Sequence, residues 1–194
     1  MLEEELKELI QLNIQQENFI ASTFNMQLIK EHECQECKPS FLKEPLKHIR
    51  VDINSTVSEE PVLVTECLRQ MYKSELKQFQ CENCYKLKKS KNAQLPHILV
   101  IHIQRLVHSN FEVLQVNKKV KIPSNLGWIM KKYDLEAIIS HFGDPNRGHW
   151  VCDLRKDGSW FTANDENVMK ICDVNDLLSR RQKVACVLFY KVVN

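Results

Sequence analysis

The sequence has no long apolar run and no excess of one charge. No stretch approaches the roughly eighteen apolar residues of a membrane-spanning helix, and Met1–Lys7 is acidic, unlike the basic start of an export signal. The 27 Lys and Arg residues nearly balance 25 Asp and Glu, so the overall charge does not favour nucleic acid. We therefore expect neither a membrane nor a nucleic acid as a partner.

Disulfide bonds are also not expected, although the chain has eight cysteines. No export signal accompanies them, and the cytosol and nucleus keep thiols reduced. The cysteines are then candidates for metal binding or for chemistry. We expect a cytoplasmic or nuclear protein.

Glycine is scarce, with four residues in the whole chain, and neither a repeat nor a low-complexity tract occurs. Apolar residues at helical spacing predict an amphipathic helix from Leu2 to about Ile20. Runs rich in β-branched and aromatic residues predict strands at Phe24–Ile29, Ile49–Ile53, Ile98–Ile103, Leu135–Ile139, Trp150–Leu154 and Val184–Val193. Turn-forming residues fill Gly143–Gly148 and Lys156–Ser159. The pattern predicts an α+β fold with a mainly antiparallel sheet.

Four cysteines form two C-x-x-C pairs, Cys34 with Cys37 and Cys81 with Cys84. Each pair can point two thiolates at one ion through a tight turn, and four thiolates suit tetrahedral Zn²⁺. A redox pair is the alternative, but no βαβ pattern surrounds either motif. We predict one structural zinc site. The other four cysteines have apolar neighbours and are interpreted as core residues: Cys67, Cys152, Cys172 and Cys186.

A histidine and two polar residues form the candidate catalytic set. His149 begins a predicted strand, and Asn164 and Asp165 end the next one. A hairpin can bring these positions together, and a histidine bonded to an Asn or Asp side chain is held in the orientation that a base needs to deprotonate a thiol or hydroxyl. The pattern alone is also typical of ordinary polar residues on adjacent strands.

The order of motifs resembles the ubiquitin-specific proteases over nearly the whole chain. Leu95–Arg105 is similar to the family's LP-x-x-L-x-x-x-L-x-R-F strand, and Lys119–Pro123 to its V-x-F-P segment. Tyr133–Gly143 resembles Y-x-L-x-A-V-x-x-H-x-G. The sequence Gly148-His-Trp150 stands where the family has Gly-His-Tyr, Trp160–Val168 resembles W-x-x-F-[DN]-D-x-x-V, and Leu188–Tyr190 matches the closing L-F-Y.

This resemblance implies a papain-like deubiquitinase domain. Residues 1–22 would be a residual thumb helix, residues 23–92 the β fingers with the zinc site, and residues 93–194 the palm. His149 would be the general base that activates a cysteine, Asn164 its orienting partner and Asp165 an auxiliary group. An enzyme of this kind would hydrolyse the bond after the C-terminal glycine of ubiquitin. Gly148 would allow the ubiquitin tail to approach closely. The partner is ubiquitin or a ubiquitinated protein.

One family element does not occur in these residues, namely the Gly-Asn-Thr-Cys-Tyr segment that carries the nucleophile. Cys152 lies three residues past His149 and points to the opposite face of the strand. We expect a chain that is inactive alone and needs a thumb segment. The alternatives are a non-catalytic ubiquitin-binding or scaffold protein derived from the same fold, and a zinc protein unrelated to ubiquitin.

Overall fold

A computed structural model describes residues 19, 22–26, 31–34, 40–41, 48–53, 60–75, 88–91, 95–108 and 113–193. The chain divides into two compact units. The first comprises residues 1–48 and 78–98, and the second comprises residues 49–77 and 99–194. Neither described helix is long and apolar enough to cross a membrane.

Fifteen strands and two helices are described. The strands are β1 (Glu31–Cys34), β2 (Ser40–Phe41), β3 (Ile49–Asp52), β4 (Val62–Leu63), β5 (Lys88–Lys91), β6 (Ile98–Gln104), β7 (Leu106–His108), β8 (Val113–Gln115), β9 (Val120–Lys121), β10 (Asn125–Trp128), β11 (Lys131–Asp144), β12 (Arg147–Lys156), β13 (Ser159–Asn164), β14 (Asn167–Ile171) and β15 (Ala185–Val192). The helices are α1 (Val64–Glu75) and α2 (Val174–Arg181).

The first unit contains a three-stranded antiparallel sheet in the order β2-β1-β5. Cys34, the last residue of β1, pairs with Lys88, the first residue of β5. The end of β1 and the start of β5 therefore lie at the same end of this sheet.

The second unit is built on one mixed sheet in the order β14-β13-β12-β11-β15-β6-β3, with β10 paired to β11. The pairs from β10 to β14 and the β11–β15 pair are antiparallel, and β3 runs parallel to β6. Four consecutive strands, β11 to β14, are joined by short turns, so neighbours in the chain pair with each other. The second unit also contains two separate two-stranded sheets, parallel β4–β9 and antiparallel β7–β8.

The core of this unit comes from alternating positions of its strands. Leu99, Ile101 and Ile103 of β6 have no exposed surface, whereas the residues between them are half-buried. In the sheet, β6 lies between β15 and β3 and is an interior strand. Val100 and His102 therefore share the less covered face of β6.

Arg105, directly after β6, joins three separate segments. Its guanidinium donates to the carbonyl oxygens of Ala185 at 2.6 Å, Gln182 at 2.8 Å, Lys118 at 2.9 Å and Val116 at 3.1 Å. Only 2% of Arg105 is exposed. Burial lowers the pKa of Arg105 to about 10, which still leaves the side chain charged at neutral pH.

Both helices can be explained from their sequences. In α1, Val64 and Leu68 are fully buried at i and i+4, and the helix contacts β3, β4 and β10. At the start of α2, the Asp173 side chain accepts from the backbone N–H groups of Asn175 and Asp176, which is N-terminal capping. Leu177 is the fully buried residue of α2.

The strand predictions are largely confirmed, although β11 and β12 are longer than the sequence indicated. Phe24–Ile29 is an exception: Ser22–Phe24 is helical and Met26 forms an isolated bridge, while residues 27–30 lie outside the described part. Residues 49–77 lie in the same compact unit as residues 99–194, with β3 paired to β6. The division into a thumb helix (1–22), fingers (23–92) and palm (93–194) stays a prediction. The predicted N-terminal helix, Leu2–Ile20, lies outside the described residues except for Phe19, which is helical.

Candidate functional site

The site is built on β12, which follows β11 through a tight hairpin. Gly143 pairs with Gly148 and Asp144 with Arg147, leaving Pro145 and Asn146 in the turn as the sequence predicted. Gly143 has φ +99°, and a side chain there would come within 3.0 Å of the Arg147 carbonyl oxygen. Glycine is required at 143 for both reasons.

Gly148 allows a close approach, but the approaching group belongs to this chain. A Cβ atom at 148 would lie 1.6 Å from Nε2 of His141. The His141 ring is buried and packs against Trp150, with 4.6 Å between ring centroids. The need for glycine at 148 thus comes from His141, and the close approach of a ubiquitin tail stays a prediction. His141 lies in the Tyr133–Gly143 motif, but nothing in the sequence indicated that it packs above Gly148.

His149 lies on the face of β12 opposite to Gly148 and Trp150, because side chains alternate along a strand. Its register partner is Phe142 on β11. Asn164 is the last residue of β13, and Asp165 starts the turn to β14 with φ +52°, a conformation that Asp tolerates better than most residues. The β12–β13 pairing of Cys152 with Ala163 brings the ends of the two strands together.

The predicted polar set is assembled in the structure. Nε2 of His149 forms a hydrogen bond with Oδ1 of Asn164, and Oδ2 of Asp165 lies 3.8 Å from the same nitrogen. The His149 side chain is 46% exposed and that of Asp165 is 76% exposed. Asn164 is therefore the direct partner of His149, and Asp165 is a more distant second carboxylate.

The hydrogen bond determines which ring nitrogen of His149 can act as a base. An amide oxygen only accepts hydrogen bonds, so Nε2 carries the proton that is donated to Asn164. In the neutral ring, Nδ1 is then unprotonated and has a free lone pair. A group next to Nδ1 could transfer a proton to it.

Three of the four cysteines whose side chains the structure describes are poor candidate partners for this base. Cys152 is half-buried and lies on the opposite face of β12 by alternation. Cys67 is in α1 and Cys186 is buried in β15. Burial raises the pKa of all three thiols, which disfavours a reactive thiolate. Cys172 is exposed after β14, so its interpretation as a core residue is wrong.

A cavity of about 400 Å³ lies beside Gly148, on the side of β12 that carries Trp150. His102, His141 and Cys186 contribute to its lining. His149 does not line it, since the strand alternates between the two faces. The cavity and the base therefore occupy opposite sides of one short segment of β12.

The zinc prediction concerns residues that are mostly outside the described part. Cys34 ends β1, whereas Cys37, Cys81 and Cys84 are not described. Within the described residues there is no group of three His, Cys, Asp or Glu side chains that could hold a metal ion. The four-cysteine site stays a prediction.

Comparison with known families gives one match over almost the entire chain. The family model of ubiquitin carboxyl-terminal hydrolase matches residues 1–190. Ubiquitin carboxyl-terminal hydrolase 9 of Saccharomyces cerevisiae is 27% identical over 90% of this chain and 26% of its own length. Ubiquitin carboxyl-terminal hydrolase 11 of Schizosaccharomyces pombe is 31% identical over 59% of this chain and 35% of its own length.

Solved structures show the same fold at lower sequence identity. A SAGA Ubp8/Sgf11/Sus1/Sgf73 DUB module superposes with a TM-score of 0.67 and 23% identity, over 90% of this chain and 39% of that one. The same module bound to ubiquitin aldehyde gives a TM-score of 0.63 and 22% identity, over 90% and 42%. The chain spans between about a quarter and a third of the length of the curated relatives named above.

Proposed function

Because this chain belongs to the ubiquitin carboxyl-terminal hydrolase family over residues 1–190, we propose that it forms the histidine-bearing part of a ubiquitin-specific cysteine protease site. His149 is the general base, Asn164 orients it, and Asp165 is an auxiliary group. The reaction is hydrolysis of the bond after the C-terminal glycine of ubiquitin.

The observation that carries this proposal is the hydrogen bond between His149 and Asn164. It leaves Nδ1 as the basic atom, on a strand end that is partly exposed and so accessible to a second segment. A histidine fixed in this way can take a proton from a cysteine thiol and later return it to the leaving amine. The acyl-enzyme is then hydrolysed by a water that His149 deprotonates.

We place the nucleophile of this scheme outside these 194 residues, because the sequence has no Gly-Asn-Thr-Cys-Tyr segment and Cys152 of β12 lies on the face opposite to His149. The chain alone is therefore expected to bind ubiquitin without cleaving it. The second candidate function, a non-catalytic ubiquitin-binding protein, is favoured by the same arrangement of cysteines.

We assign the ubiquitin tail to the segment of β12 around Gly148 and His149. The His149 side chain is partly exposed on this segment, and the solved structure with ubiquitin aldehyde has the same fold. A bond to be cleaved must come next to His149, so the tail has to pass this segment.

A structural zinc ion held by Cys34, Cys37, Cys81 and Cys84 is part of the proposal. The pairing of Cys34 with Lys88 supports it, since Cys37 follows β1 by three residues and Cys84 precedes β5 by four. Both C-x-x-C pairs are thus connected to the same end of this small sheet. The connecting chain can span at most about 13 Å on either side. Metal analysis should find one zinc per chain, and Cys34→Ser should lower that content, whereas Cys172→Ser should not.

The test of the proposed function is a titration of the chain with ubiquitin, followed by NMR of its histidine side chains. Full-length ubiquitin should shift the His149 signals. Ubiquitin without its last two glycines should bind without that shift, because its tail does not reach β12.

Asn164→Ala provides the matched control. It should retain ubiquitin binding, because binding depends on a larger surface, but the His149 ring should lose its fixed orientation. Absence of binding by full-length ubiquitin, with zinc present and the fold intact, would exclude the proposed function.

A further inference from the structure

A buried ion pair lies on the same face of the sheet as His149. Nε of Arg181 is 2.6 Å from Oδ2 of Asp153, and its Nη2 is 2.9 Å from Oδ1. Asp153 has no exposed surface, and 9% of the Arg181 side chain is exposed. Thr162 donates its hydroxyl to Oδ1 of Asp153 at 2.6 Å. We refer to Asp153, Thr162 and Arg181 as the buried cluster.

The buried cluster connects the strands that carry the site. Asp153 follows His149 by four residues on β12, and Thr162 precedes Asn164 by two on β13, so each shares a face with the site residue of its own strand. Asp153 and Thr162 are direct register partners. Their hydrogen bond therefore spans the two strands whose ends meet at His149 and Asn164.

Arg181 extends the connection to a third strand. Its guanidinium carbon lies 5.3 Å from the centre of the Phe142 ring, and Phe142 is the register partner of His149. Since Arg181 is also the last residue of α2, one side chain contacts β11 and β12 and attaches the end of a helix to them.

Stability alone does not account for the buried cluster. A buried ion pair costs so much desolvation that apolar residues of similar size often give equal or greater stability. What a bidentate Arg–carboxylate pair adds is a fixed direction and distance. The His149–Asn164 bond needs such support, because the His149 side chain is partly exposed and a single hydrogen bond in contact with water contributes little net free energy.

We propose that Asp153, Thr162 and Arg181 are positioning residues, which hold β12 and β13 so that Asn164 keeps His149 in one orientation and tautomer. The significance for catalysis rests on the proposed function of His149. The positioning effect itself is a property of the chain without ubiquitin.

The test compares the intact chain with the apolar triple variant Asp153→Leu, Thr162→Val, Arg181→Met. All three buried polar groups are removed together, so no charge or hydroxyl is left unpaired, and the fold should be kept. In long-range ¹H–¹⁵N spectra the intact chain should show His149 with the proton on Nε2. The triple variant should show averaged signals from both tautomers.

A control on the same helix removes the exposed pair of Arg180 and Asp176, which lies 2.9 Å apart. The double variant Arg180→Met, Asp176→Ala should leave the His149 spectrum unchanged. A folded triple variant with the His149 spectrum of the intact chain would overturn the proposal, because a purely structural cluster predicts that result.

If the triple variant does not fold, the single variant Thr162→Val tests the proposal. It removes one hydroxyl and keeps the Arg181–Asp153 pair, so the chain should fold and the second tautomer should become detectable. An unchanged His149 spectrum in Thr162→Val would then refute the proposal. The readout needs no ubiquitin, so a chain that fails to bind ubiquitin contradicts the proposed function and not this inference.

Discussion

At the scale of single residues, Arg105 and His149 differ in their burial and in their number of hydrogen-bond partners. Arg105 is buried and donates to four carbonyl oxygens, while His149 has one close partner at the surface. Buried groups of the first kind maintain the fold. Exposed groups of the second kind are available for chemistry.

Arg105→Met should lower the free energy of unfolding by about 3–5 kcal/mol, because it takes a charged donor away from several buried carbonyl groups. Arg180→Met removes an exposed i,i+4 pair and should cost about 0.5 kcal/mol or less. Urea unfolding of both variants measures the difference. A loss below about 1 kcal/mol for Arg105→Met would mean that the carbonyls find other donors, such as water.

At this scale the sequence predicted that His149, Asn164 and Asp165 come together, but it did not predict the buried cluster. Gly148, His149 and Asn164 stand out because the residue types and their spacing suggest chemistry. Asp153, Thr162 and Arg181 are common residues whose meaning appears only when β12, β13 and α2 are packed together. A buried carboxylate cannot be told from an exposed one by its neighbours in the sequence.

At the scale of elements, the strands with simple alternation were predictable and the helices were missed. The predicted strand Leu135–Ile139 is shorter than β11. Register shifts between Leu135 and Ala137 and between Ile139 and Ser140 interrupt the alternation from which a strand is predicted. The start of α1 combines Val64 and Thr65, which favour strands. The N-terminal cap Asp173 was a usable signal for α2.

The β11–β12 hairpin gives a prediction about elements in contact. Gly148→Ala should destabilise the chain by about 1–3 kcal/mol, because the new methyl group overlaps the buried His141 ring. In the double variant Gly148→Ala, His141→Ala the two separate losses should sum to more than the observed loss, since the clash is gone.

Gly127→Ala is the matched control for this hairpin. A methyl group added at Gly127, on β10, would have no atom within 4 Å, so the replacement should change the free energy of unfolding by about 0.5 kcal/mol or less. Additive losses for Gly148 and His141, measured by thermal or urea unfolding, would show that His141 does not occupy the space above Gly148.

At the scale of the whole molecule, buried tyrosines make stability depend on alkaline pH. Burial raises the pKa of Tyr133 to about 12 and raises that of Tyr190 further, and neither side chain has exposed surface. The folded chain keeps these protons at a pH where the unfolded chain, with a phenol pKa of about 10, has lost them.

The free energy of unfolding should therefore be unaffected by these groups below about pH 10 and should fall as the pH rises from about 10 to 12. Urea unfolding at several pH values, with absorbance of ionised tyrosine, measures both effects. If all four tyrosines of the folded chain titrate near pH 10 without loss of stability, the buried environment of Tyr133 and Tyr190 is wrong.

The central claim is that this chain provides the base His149 but not the nucleophile. One experiment tests this claim most directly. The purified chain is mixed with ubiquitin that carries an electrophile at its C-terminal glycine, and the products are measured by intact mass. We expect ubiquitin to bind without forming a covalent adduct, because we propose that the nucleophile lies outside these residues. A stoichiometric adduct on any of the eight cysteines would contradict it.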